Sequence, residues 1–83
     1  MASRDKLLAR MRANPRDWRI EDLEALALHF GLSARKPGGS HVIFFHPTVP
    51  EMLSVPARRP IKPVYVRRFI ALIDQITPHE DEG

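Results

Sequence analysis

Two histidines bracket a short apolar run, His41-Val42-Ile43-Phe44-Phe45-His46, and the turn Pro37-Gly38-Gly39-Ser40 stands directly before the first of them. Lys36 precedes that turn, and Pro47 follows His46. Histidine is the side chain whose ordinary ionisation lies nearest neutrality, which suits it to proton transfer. RNA carries its own nucleophile, the ribose 2′-hydroxyl. A base that takes its proton, or an acid that protonates the leaving 5′-oxygen, cuts the strand, and nearby cations stabilise the crowded phosphate charge. His41, with Arg35, Lys36, Arg58, Arg59 and Lys62 from flanking segments, supplies those parts. Plainer readings stand beside this one. A lone histidine on a strand is more often structural than catalytic, and basic side chains commonly form a solvated face.

Other chemistries fit less well. His41 and His46 are five positions apart, so they fall on opposite faces of a strand, which disfavours a shared metal site. After Glu24, only Glu51 and Asp74 precede the C-terminal acids, so no carboxylate cluster stands ready to hold the cations of a metal-dependent nuclease. With no cysteine there is neither a disulfide framework nor a thiolate zinc site. No P-loop-type glycine run and no Ser-His-acid order are present. Neither a metal nor a small-molecule cofactor is expected. No apolar run reaches membrane-spanning length, and Met1 to Lys6 has no apolar segment behind its charges. A soluble, cytoplasmic protein is expected.

The 83 residues suffice for one small domain, taken as 1–78, with a disordered acidic tail at 79–83. The formal charge is +3, from 13 Lys and Arg against 10 Asp and Glu. Setting aside Glu80, Asp81 and Glu82 leaves 13 basic against 7 acidic residues, an excess of six. That excess suits a polyanionic partner, although ordinary solubility accounts for it too.

The elements that must position His41 follow from punctuation and periodicity. Ser3 can cap a first helix over 3–13 carrying Leu7, Leu8 and Met11, and Asn14-Pro15 ends it. A second helix is predicted from Ile20 to Phe30, with Ile20, Leu23, Leu26, Ala27 and Phe30 inward and Gly31 as its stop. Trp18, just ahead of it, reads as a core or staple residue before a base-stacking one. Three strands are expected at 32–36, 40–46 and 52–55, with 47–50 as a connection. Val66, Phe69, Ile70 and Ile73 form the inward stripe of a last helix that Pro63 opens and Pro78 closes. The order α-α-β-β-β-α gives an α+β sandwich, a three-stranded antiparallel sheet with helices on one face and the other face open. His41 and Phe45 share the open face. Coverage of Phe45 by a partner or by the N-terminal segment is expected ahead of stacking on a base.

The run Gly39-Ser40-His41-Val42-Ile43-Phe44-Phe45-His46-Pro47 resembles the Gly-Ser-His-x-x-Phe-x-His-Pro signature of the HicA toxins. Ser54-Val55-Pro56 and Ile61-Lys62-Pro63-x-x-Val66-Arg67 resemble that family's third strand and following helix start, and the likeness spans roughly residues 19 to 76. It implies a fold like double-stranded-RNA-binding domains and a ribosome-independent endoribonuclease that cleaves mRNA and is held inactive by a HicB-type antitoxin. It implies that His41 is catalytic, that Gly39 and Ser40 form the turn presenting it, that Phe44 is a core aromatic and that His46 is a second histidine. RNA contacts are assigned to Arg35, Lys36, Ser40, Arg58, Arg59 and Lys62. The chain departs from the pattern at Phe45, where a basic or polar residue is common, and at Arg58, where a histidine often stands. The first helix is absent from the shortest members. Two other readings stay open: a non-catalytic RNA-binding module and a protein-interaction domain of the same fold.

Overall fold

The computed structural model describes residues 2–58 and 60–76. Arg59, Pro78 and the acidic tail lie outside the described residues. The elements follow in the order α1 (Ala2–Ala13), α2 (Ile20–Phe30), β1 (Ser33–Arg35), β2 (His41–His46), β3 (Val49–Pro56) and α3 (Pro63–Ile76). The architecture is α+β, and the sheet is antiparallel throughout, in the order β1-β2-β3.

Strand alternation sorts the sheet's faces. Val42 and Phe44 of β2 are buried, as is Val55, which lies opposite Val42. The Phe44 ring meets Phe69 of α3 edge-on at 5.0 Å, an arrangement that ring quadrupoles favour. Leu23, Leu26 and Ala27 of α2 and Val66, Ile70 and Ile73 of α3 complete the same core. His41, Ile43 and Phe45 take the opposite face. His41 is exposed there, while Ile43 and Phe45 are half-buried.

Local chemistry sets the element ends. Gly31 adopts φ +86, and the Leu32 N–H then bonds the Ala27 carbonyl at 2.8 Å, a Schellman closure of α2. At the other end the Arg19 N–H donates to the Asp22 carboxylate at 3.0 Å. Leu32 is thereby drawn into the core, and β1 is shorter than the predicted 32–36. The third strand is longer than predicted. β3 starts at Val49, so Pro47 and Thr48 alone form the turn between β2 and β3. Pro50 does not stop it, because β3 is an edge strand, where a missing N–H is tolerated. The β2–β3 register slips between Phe44 and His46, a bulge that leaves Phe45 facing Ser33 of β1 without a partner in β3.

Met11 of α1 is fully buried, and α1 packs on α3 and α2. The N-terminal segment is thus committed to the helical layer, away from the sheet face that carries Phe45. Arg12 forms a two-pronged ion pair with Asp74 of α3, so Asp74 faces α1. Hydrogen bonding to Asp74, opposed by partial desolvation, raises the Arg12 pKa above its ordinary value.

Candidate nucleic-acid cleavage site

β2 begins where β3 ends, since His41 lies opposite Pro56. The Ala57 N–H donates to the Ser40 carbonyl at 2.9 Å, extending the pairing one step beyond the strands. Gly39, with φ +84, provides the sharp bend that delivers Ser40 and His41 to this corner. The following loop is pinned. Ile61 is buried, and its N–H bonds the Trp18 carbonyl at 2.8 Å. Trp18 is itself half-buried, with its indole N–H on the Asn14 carbonyl at 2.6 Å and the Arg10 guanidinium 5.9 Å from its ring. The Lys62 carbonyl then accepts from the Tyr65 N–H at 2.9 Å, starting α3.

These three pieces, the sheet corner, the pinned loop and the first turn of α3, enclose an open cleft of about 540 Å³. Ser40, His41, Arg58, Lys62 and Tyr65 line it, along with Pro56 and Ala57. Four of the residues singled out from the sequence are therefore brought together: His41, Ser40, Arg58 and Lys62. The imidazole Nδ1 lies 3.2 Å from the Ser40 hydroxyl, and among the described residues Nε2 has no partner. One ring nitrogen is thus steadied by its neighbour, and the other is left for a bound group.

Two further expected cations do not line the cleft. Arg35 lies opposite Ile43 at the end of β1, exposed on the His41 side of the sheet. Lys36 turns to α2, where its ammonium sits 2.9 Å from Glu24. Its charge is partly neutralised there, which weakens the case for it as a phosphate ligand. Arg59 lies outside the described residues.

His46 has a separate job. Its Nδ1 accepts from the Thr48 N–H at 3.1 Å and lies 2.8 Å from the Thr48 hydroxyl, closing the two-residue turn. It stands at the far end of β2 from His41, a separation of roughly 17 Å at the rise of an extended strand. Among the described residues no three of His, Asp and Glu converge.

Tyr65 was not picked out from the sequence. Its signal was position: Pro63 opens α3, so a residue two places on lies in the first turn, at the end where the basic loop arrives. The phenol adds a hydroxyl and a stacking face beside the cations Arg58 and Lys62. Among the described residues, no helix is long and apolar enough to cross a membrane. No family model matches the chain, and neither a curated protein nor a solved structure matches it.

Proposed function

We propose that this chain is a HicA-like toxin, an endoribonuclease that cleaves mRNA without a metal and is neutralised by a HicB-type antitoxin. One observation supports the reading: an exposed histidine shares an open cleft with an arginine and a lysine. In the proposed reaction the RNA backbone lies across the cleft, with Arg58 and Lys62 against the phosphate oxygens. The 2′-oxygen bonds to phosphorus and gives up its proton. The bond from phosphorus to the 5′-oxygen breaks, and that oxygen gains a proton. His41 performs one of these two transfers, with water completing the other. The products are a 2′,3′-cyclic phosphate and a 5′-hydroxyl end. The two cations oppose the charge that gathers on the phosphate oxygens in the transition state. Tyr65 offers a ring on which a flanking base can stack.

The test compares wild type with His41→Ala on RNA in the presence of EDTA. Wild type should leave cyclic-phosphate ends, and the variant should lose a factor of roughly 10² to 10⁴ in rate, the usual contribution of a positioned acid or base. Circular dichroism should show the fold retained, because His41 is exposed. Cleavage that survives the substitution removes His41 from the mechanism. Cleavage that stops in EDTA contradicts metal independence.

A further inference from the structure

A second cavity, of about 440 Å³, adjoins the cleft and shares Arg58 and Lys62 with it. Pro60, Ile61 and Pro63 give it an apolar lining, which suits the flat face of a base better than a phosphate. Arg16 adds a third cation, and Asp17 is the one acid among the lining residues. An acid repels phosphate, so a cavity made for phosphate alone gains nothing from it. A carboxylate does suit a base that presents N–H donors. Asp17 is also the one non-glycine residue described with a left-handed backbone, φ +64. Its side chain makes no hydrogen bond or ion pair among the described residues.

We propose that this cavity is a nucleobase subsite beside the cleavage cleft, in which Asp17 reads a guanine next to the scissile bond. The inference rests on the ribonuclease reading of the adjoining cleft and adds a base preference to it. A carboxylate offers two acceptors side by side. Guanine alone among the four bases sets two donors side by side on its pairing edge, N1–H and the N2 amino group. Adenine and cytosine place an acceptor next to their amino group, and uracil flanks its single N–H with two carbonyls. The shared Arg58 and Lys62 would hold the phosphate that links this base to the cleft.

The test uses short RNAs that differ only in the nucleotides flanking one bond, carrying guanine, inosine, adenine or uracil. Inosine lacks only the N2 amino group. Affinity is measured by fluorescence anisotropy with the His41→Ala protein, so that no substrate is consumed. Guanine RNA should bind on the order of tenfold more tightly than inosine RNA, the discrimination of one good bidentate contact. Asp17→Asn and Asp17→Gly should bring that ratio close to one. Asparagine and glycine both accept a left-handed backbone, so both variants keep the local fold. Equal affinity for guanine and inosine RNA with Asp17 in place overturns the assignment, as does a preference that survives both substitutions. Wild-type protein is run on the same RNAs in parallel. Absence of any cleavage would sink the nuclease reading, while the binding ratio would still decide the subsite.

Discussion

The φ of +84 at Gly39, two residues before His41, sets the direction in which the chain turns into β2. A Cβ built at Gly39 meets nothing within 4 Å, and the same holds at Gly38. Only the backbone distinguishes the two. Gly39→Ala should therefore cost about 1–2 kcal/mol, the penalty for a left-handed residue with a side chain. Gly38→Ala, with no left-handed backbone, should be neutral or stabilising by about 0.4–1 kcal/mol through the unfolded state. Urea denaturation of both variants checks this, and equal effects would show that the turn is not held as described. At this scale the sequence was informative wherever a residue's role is local. Gly31 as a helix stop and His41 at a strand start were both legible, because Gly and Pro act on their own backbone. Tyr65, Asp17 and the Lys36–Glu24 pair were not, since each depends on what a distant element brings alongside.

Among the elements, α2 matched its predicted limits because a cap at each end bounds a strongly apolar stripe. β3 did not match, because proline reads as a breaker unless the strand is known to lie at an edge, and that is a property of the sheet. α1 has little amphipathic character of its own, and its place is secured by Met11 and by the Arg12–Asp74 pair with α3. The two charged side chains are 47% and 38% exposed, so water screens much of their attraction. A double-mutant cycle with Arg12→Ala and Asp74→Ala should give a coupling below about 1 kcal/mol, measured by denaturation. A much larger coupling would mean that the pair is more sheltered than its exposure indicates. By contrast, Phe44 and Phe69 join sheet to helix in the dry core, and the sandwich depends on them far more than on any ion pair.

For the whole molecule, part of the basic excess visible in the composition gains a location. Arg16, Arg58 and Lys62 gather around two adjoining cavities, and Asp17 is the single acid among their lining residues. Three phosphate contacts on single-stranded RNA imply a plot of log affinity against log salt with a slope of about −2, at roughly 0.7 per contact. Lys62→Ala should make that slope shallower by about 0.7, measured with the His41→Ala protein between 50 and 200 mM salt. An unchanged slope would place the RNA elsewhere. The layout of helices on one side of a three-stranded sheet was legible from element order alone. Ser40, His41, Arg58 and Lys62 were named from the sequence, but the cleft they form with Tyr65 was not legible, because its walls come from three separated segments.

Each strand of the sheet pairs with its neighbour in sequence, and only two residues link β2 to β3. Within the sheet such a wiring diagram asks for few long-distance encounters, which favours quick strand pairing, whereas α1 must still meet α3, with Arg12 and Asp74 62 positions apart. The sheet corner that carries His41 can thus pair early, and the cleft is complete only once the loop and α3 close over it.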